Sequence, residues 1–274
     1  MGLAGLALSN PVKMMKSSKT HFEHRPTDER RGDYCTYGTD EQFIVPLLRD
    51  LIQHALNRFA SNAPAGAKAL DVGCGAQPLR DEIVNRGFIY TSVDVVQNAA
   101  KSVDILAPID ETLPGSLEAA GPFDLILCTE VLEHVADWNT AFTNFAKLLA
   151  PSGRIIITCP FVWKLHEEPF DFWRPTLHAL RSHGCRVGLS PLEERAAGSI
   201  REALGTMISQ VRVTTDGHGP SVWLRRKFIG LVRRILVSAL RGPLFRNKVR
   251  IEGGYYLTSY IVLGAADVVG NNPR

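Results

Sequence analysis

The sequence predicts an α/β chain built as a doubly wound, mostly parallel sheet with helices on both faces. Three observations carry that expectation. Short apolar runs alternate with helical patterns between residues 69 and 190, and Gly, Pro or Asp bound most of them. The first run, ALDVG at 69–73, leaves its strand through Gly73-Cys74-Gly75. The second ends in Asp94, about twenty residues on. Ligands of doubly wound sheets sit beyond the carboxyl ends of the strands, and Gly lets another group approach the backbone closely there.

In chain order, residues 9–41 are polar and without a sustained period, so they read as a mobile lead-in. EQFIVPLLRDLIQHALNRFA (41–60) places Leu48, Leu51, Ile52, Ala55, Leu56 and Phe59 on one helical face. SNAPAGA (61–67) is a linker, followed by the ALDVG strand. PLRDEIVNRG (78–87) reads as a helix with Pro early and Gly just after it. FIYTSVD (88–94) is a strand, with a shorter one near Ser102–Ile105. FDLILC (123–128) is a buried strand, and Asp137 is the N-cap expected for a helix over 137–153. RIIITCP (154–160) is a strand, and PTLHALRSHG (175–184) a helix ending at Gly. Residues 191–250 break the alternation, and YYLTSYIVLGAAD (255–267) reads as a final strand. The expected organisation is a lead-in and cap helix over 1–66, a core over 67–190 plus 251–268, and a basic helical insertion over 191–250.

Composition narrows the class. A chain of 274 residues with 45% hydrophobic and 22% charged side chains can bury a substantial core. Cys35, Cys74, Cys128, Cys159 and Cys185 are odd in number, without a C-x-x-C pair, which suits neither a disulfide framework nor a zinc site. No apolar run reaches the ~18–20 residues that span a bilayer, and the N-terminus is a poor signal peptide. These features predict a cytoplasmic protein.

The glycine turn discriminates between nucleoside cofactors. Dinucleotide binders favour G-x-G-x-x-G, whereas this chain reads G-C-G-A-Q-P with Pro78 at the third Gly position. Leu70-Asp71-Val72-Gly73-Cys74-Gly75 instead resembles the first motif of class I S-adenosylmethionine-dependent methyltransferases. The resemblance continues through Asp94, through FDLILCTEVLEHVADW (123–138) and through LLAPSGRIIITCP (148–160), where Ser152 replaces the family's first Gly. It covers about residues 65–190 plus the last strand. It implies a Rossmann-like, seven-stranded, mostly parallel sheet with an antiparallel last strand, and S-adenosylmethionine as cofactor. It also implies that Gly73 and Gly75 admit the methionine end of the cofactor and that Asp71 bonds near the turn and the amino acid portion. By the same resemblance Asp94 takes the ribose hydroxyls, Asp104 (with Asp110 as the alternative) lies near the adenine, and Thr129 and Glu130 face cofactor and substrate.

WKLHEEPFDFWRPT (163–176) crowds His166, Glu167, Glu168, Asp171, Trp173 and Arg174 among aromatics. It resembles the H-E-x-P-x-D-F/Y-x-R-Y-T segment of bacterial polysaccharide- and glycoconjugate-associated methyltransferases, with Pro175 for the usual Tyr. That implies an acceptor oxygen on a sugar, sugar-lipid or related small molecule. A structural ion pair between Asp171 and Arg174 is the competing reading. Glu130, Glu133 and His134 form E-x-x-E-H, which i, i+3, i+4 spacing places on one face of a helical turn. With His166 they make an oxygen/nitrogen set suited to Mg²⁺, Mn²⁺ or Zn²⁺. E-x-x-E-H also occurs in plant-type small-RNA 2′-O-methyltransferases and ubiquinone-pathway O-methyltransferases, where it binds a metal. Absent a visible supporting partner, a general base is favoured over a metal, with His166, Glu130 and His134 as catalytic candidates.

Between Gly217 and Ile251 lie nine Lys/Arg and no acid. VWLRRKFIGLVRRILVSAL (222–240) places Leu224, Phe228, Leu231, Val232, Ile235 and Ala239 on one helical face, with Arg226, Lys227, Arg233 and Arg234 mostly opposite. A cap helix with a solvated basic face is the first expectation. A peripheral contact of 222–241 with the anionic inner membrane surface is the second, and RNA is disfavoured because no aromatic platform accompanies the charge. The alternative functions are metal-dependent RNA 2′-O-methylation and cofactor binding without turnover.

Overall fold

The computed structural model describes residues 32–35, 37–211, 219–242 and 254–265. The expectations for residues 9–31, 243–250 and 266–268 fall outside them. Seven strands form one sheet: β1 (Lys68–Val72), β2 (Ile89–Asp94), β3 (Ile105–Leu106), β4 (Phe123–Thr129), β5 (Leu149–Pro160), β6 (Leu189–Ala197) and β7 (Thr258–Ala265). Their order is β3-β2-β1-β4-β5-β7-β6. The pairs β1–β2, β1–β4, β2–β3 and β4–β5 are parallel, and β7 runs antiparallel to both β5 and β6. This is the Rossmann-like doubly wound sheet with an antiparallel last strand that the sequence predicts. Chain order reverses between β1 and β4, which opens a crevice at their carboxyl ends.

The β4 sequence explains why both faces are covered. Ile126 and Cys128 point into one core with Phe142 and Phe145 of α4 (Trp138–Leu148) and Leu180 of α5 (Leu177–Arg186). Leu125 and Leu127 point the other way, into a core with Ile52 and Leu56 of α1 (Ile44–Phe59) and Ile83 of α2 (Arg80–Asn85). A strand buried on two faces needs a continuous apolar run rather than alternation, which is how FDLILC reads. Each fully buried Leu, Ile or Phe contributes about 1.5–3 kcal/mol, so the inner strands hold the strand ends firmly. Asp137 caps α4 as expected, its side chain accepting from Asn139 and Thr140 N–H.

Three boundaries differ from the sequence expectation. The helix over 137–153 stops at Leu148, because Pro151 follows and β5 begins at Leu149. The helix over 175–184 continues through Gly184 to Arg186. A Cβ on Gly184 would meet Leu263 Cδ1 at 2.8 Å, so this glycine admits β7 rather than ending a helix. Gly188, at φ +78°, stands where the chain leaves that helix. Finally, the sheet reaches Ala197, since LSPLEERAA (189–197) forms the edge strand β6 with a register shift between Pro191 and Glu193. An edge strand tolerates that proline and those charges.

Beyond β6 lie α6 (Ile200–Gln210), opened by a Ser199/Glu202 capping box, and α7 (Pro220–Arg241). The α7 side that meets the fold carries Val237 and Leu240, which join Phe43, Ile44, Val45 and Ala203. The face expected to pack, with Leu224, Phe228 and Ile235, is exposed instead. Charged Arg233 lies inward, donating to the Ser209 and Val211 carbonyls at the end of α6.

Candidate active site at the strand ends

A cavity of about 790 Å³ opens over the carboxyl ends of β1, β2 and β4. Its floor is the turn after β1. Gly73 has φ +65°, and a Cβ there would lie 2.4 Å from Val131 Cγ2, so both conformation and space demand glycine. The Gly73 N–H donates to Val93 O, which ties the turn to β2. Gly75 N–H donates to Asp94 Oδ2 at 2.9 Å, and Val96 N–H donates to Oδ1 at 3.2 Å. Asp94 is buried yet lines the cavity, and each carboxylate oxygen retains acceptor capacity. Behind it, Gln77, Asn98 and Ser102 bond to one another and, through Asn98 Nδ2, to Gly75 O.

Asp71 is buried on the cavity wall and accepts from the Tyr90 hydroxyl at 2.7 Å. Burial pushes its carboxyl up to about 7, against the hydrogen bond from Tyr90 and with a further push from Asp94. Asp104 departs from expectation. Its carboxylate accepts from Ser92 N–H and Ser92 Oγ rather than facing the cavity. Ala107, Ile109 and Asp110 form that wall. Asp110 Oδ2 accepts from Ala136 and Asp137 N–H. These groups fit S-adenosylmethionine: a paired acid for the ribose, apolar residues for a flat base, and Asp71 for an ammonium. Thr129 lines the cavity, its Oγ1 3.3 Å from the Tyr34 hydroxyl. Tyr34, with Gly32 and Asp33, shows that the lead-in contributes to the wall, a contact that no periodicity signals.

The acceptor side is built by the turn after β4 and the segment after β5. TEVLEH is not a regular helical turn: Glu130 has φ +54°, and only Leu132–His134 forms a single 3-10 turn. Glu130 therefore leaves the expected E-x-x-E-H face, and its Oε1 accepts from Thr258 Oγ1 on β7. It still lines the cavity. Glu133, His134 and His166 do converge, with ligand-type atoms all within 4.8 Å of one another. Glu133 Oε1 lies 3.8 Å from His134 Nε2 and 4.0 Å from His166 Nε2. Glu133 is fully buried; burial first, and Glu130 next, raise its carboxyl well above the usual range. Cys159 Sγ donates to its Oε2 at 3.6 Å, a contact that no spacing along the chain signals.

Both imidazoles are held by their other nitrogen. His134 Nδ1 lies 2.9 Å from Phe170 O, a carbonyl that can only accept, so Nδ1 carries the proton. His166 Nδ1 lies 3.1 Å from Asp171 Oδ2 and donates to it. Each Nε2 consequently offers a lone pair. Burial lowers the His166 pKa, His134 adds to that, and Asp171 opposes it. Burial would raise Asp171, but the Arg174 guanidinium, bonded at 2.6 and 2.7 Å, and the His166 N–H hold it below the usual carboxylate range. The Asp171–Arg174 ion pair therefore exists and also orients His166. Trp163, Phe170 and Phe172 add an aromatic wall.

Comparison with known proteins agrees with this geometry. The methyltransferase domain family matches residues 47–197, more than half of the chain. Similar relatives include the ubiquinone biosynthesis O-methyltransferases of Caulobacter sp. strain K31, 37% identical over 34% of this chain and 40% of theirs, and of Xanthomonas axonopodis pv. citri, 32% identical over 38% and 50%. The match thus spans half or less of the length of these relatives. A solved structure described as a sarcosine dimethylglycine methyltransferase from Galdieria sulphuraria shares the fold, with TM-score 0.51, 15% identity, and 86% of this chain and 94% of that chain covered. With the glycine turn, the acid at the end of β2 and the 3214576 strand order all in place, the chain belongs to the class I methyltransferase domain family, and S-adenosylmethionine is its cofactor.

Proposed function

We propose that the chain methylates a hydroxyl oxygen on a flat, largely apolar small molecule, with His166 as the base. The observation that carries this is the Asp171–His166 pair, which leaves Nε2 unprotonated beside buried Glu133 on the cavity wall. S-adenosylmethionine supplies an electrophilic methyl group on sulfur. Asp94, Gly73 and Gly75 hold its nucleoside and amino acid ends, and Asp71 faces the ammonium. The acceptor O–H gives its proton to His166 Nε2 as the oxygen bonds to the methyl carbon and the sulfur–carbon bond breaks. The imidazolium is then stabilised by Asp171, and the thioether product leaves. The fixed Nδ1–H tautomers of His166 and His134 remove the search for orientation.

The apolar part of the cavity wall supports this acceptor class. Trp163, Phe170, Phe172, Val131 and Leu48 suit a ring with little hydrogen-bonding capacity, whereas a sugar would leave its many hydroxyls unpaired against them. The relatives' names specify O-methylation in ubiquinone biosynthesis, which supports a ring hydroxyl over the glycan acceptor that residues 163–176 suggest. No observation favours RNA methylation or binding without turnover.

A second reading rests on a specific observation. Glu133 Oε1, His134 Nε2 and His166 Nε2 can hold a divalent cation, and each histidine has the carbonyl or carboxylate partner that usually supports a metal-bound imidazole. Such an ion would lower the acceptor's pKa. The experiment is methyl transfer from tritiated S-adenosylmethionine to a catechol, compared with a free hexose. Label in the catechol alone supports the proposal, and label in the hexose alone overturns the acceptor class.

A further inference from the structure

The α7 helix turns apolar side chains away from the fold. Placing Val237 at the buried line, Leu224, Leu231, Ile235, Phe228 and Val232 span the opposite side at 100° per residue. Phe228 is 65% exposed and Ile235 58% exposed, beyond what a solvated cap helix would leave in water. Lys227 and Arg234 border this face on one side and Arg225 on the other. The helix carries Arg225, Arg226, Lys227, Arg233, Arg234 and Arg241 and no acid. Arg233 and Arg241 are engaged with Val211 O and Gln42 Oε1, and Arg226 lies near the Val237 line, so Arg225, Lys227 and Arg234 are the cations that border the outer face. Trp223 stands exposed near the amino end beneath Lys227 Nζ, on the side of the helix nearer Val237.

We propose that this outer face of α7 docks on an anionic bilayer surface, lying in the interface rather than crossing it. Charge decides between the candidate occupants. A second copy of the chain would bring an equally basic helix to the same face. The residues preceding Gly32 are also net basic, with Lys13, Lys16, Lys19, Arg25, Arg30 and Arg31 against Glu23, Asp28 and Glu29. A bilayer with anionic headgroups offers an apolar interior for Phe228 and Ile235 and opposite charge for Lys227 and Arg234 in one partner. No helix among the described residues is long and apolar enough to cross a membrane. The docked helix would also sit beside the cavity, because Val237 and Leu240 pack with Ile44, Val45 and Trp163, which line it. The inference does not depend on the acceptor's identity.

The test uses the full chain with phosphatidylcholine vesicles, with and without 30% phosphatidylglycerol. Wild type should co-sediment with the anionic vesicles at 50 mM salt, release at 500 mM, and ignore pure phosphatidylcholine. Lys227→Gln with Arg234→Gln should weaken binding about 25-fold, at about fivefold per cation. Phe228→Asp with Ile235→Asp should abolish it, while affinity for S-adenosylhomocysteine, measured by calorimetry, confirms that the variant is folded. Wild type remaining in solution at 50 mM salt would overturn the proposal, as would unchanged sedimentation of either folded double variant. Sedimentation velocity giving a dimer that Phe228→Asp dissociates, without vesicle binding, would assign the face to a second copy instead.

Discussion

On the β1–β2 side of the cavity the acids are anchored, Asp94 by backbone N–H groups and Asp71 by the Tyr90 hydroxyl, whereas on the β4–β5 side the titratable groups are left poised. Asp94 is held by two N–H groups, and the Gly73 turn is tied to β2. Across the cavity, Glu133, His134 and His166 bring three titratable groups together, with Glu133 Oε1 3.8 Å from His134 Nε2 and 4.0 Å from His166 Nε2. In the proposed function the first side binds the cofactor and the second exchanges a proton. The difference teaches that binding and chemistry in this fold come from different structural resources: strand-end turns for the first, side chains anchored by a loop for the second.

The sharpest way to break this division is to remove one side and measure the other. His166→Ala is expected to lower kcat by about 10²–10⁴ while leaving affinity for S-adenosylhomocysteine nearly unchanged in calorimetry. Equal losses in both would merge the two sides. Asp94→Ala is expected to do the reverse, weakening that affinity by about 2–4 kcal/mol at about 1.5–3 per charged hydrogen bond with overlap. NAD should bind comparably to neither protein.

Asp71 sharpens the comparison, since burial raises its pKa to about 7. If its ionised form pairs with the cofactor's ammonium, as proposed, S-adenosylmethionine affinity should fall as pH drops from 8 to 6, by at most about tenfold per unit. The stability sign is opposite. An acid raised from 3.8 to about 7 stabilises the empty fold fully below 3.8, and that contribution is lost as pH rises through about 7. Thermal melts of the empty protein should show this decline, and Asp71→Asn should remove it. The smallest effect belongs to Tyr34→Phe, which deletes the contact with Thr129 and should raise the cofactor Kd by about 0.5–1.5 kcal/mol.

The sequence made the binding side far more legible than the reacting side. Gly73, Gly75 and Asp94 stand at the carboxyl ends of the adjacent parallel strands β1 and β2, so a pattern that places the two strands also brings these residues together. Asp104 misleads because it adjoins the short third strand in sequence, but its carboxylate bonds to Ser92 within β2. On the reacting side E-x-x-E-H predicted a helical face, yet the left-handed backbone at Glu130 turned that residue to Thr258. Asp171 and Cys159, which bond to His166 and Glu133, become neighbours only after β5 and its loop are placed. β6 was hidden by the proline and charges that an edge strand accepts. In α7 the periodicity was correct but its direction was reversed, because a sequence fixes which residues share a helix face and not which face meets the core.

The central claim is that an imidazole of this chain takes the acceptor's proton. The most direct test is the methyl-transfer rate, with S-adenosylmethionine saturating, before and after exhaustive chelation. Proton transfer to His166 should leave the wild-type rate unchanged within about twofold, with His166→Ala still slow under the same conditions. A rate abolished by chelation and restored by Mg²⁺ or Mn²⁺, with Glu133→Ala as severe as His166→Ala, would contradict it and give the cluster to a metal ion.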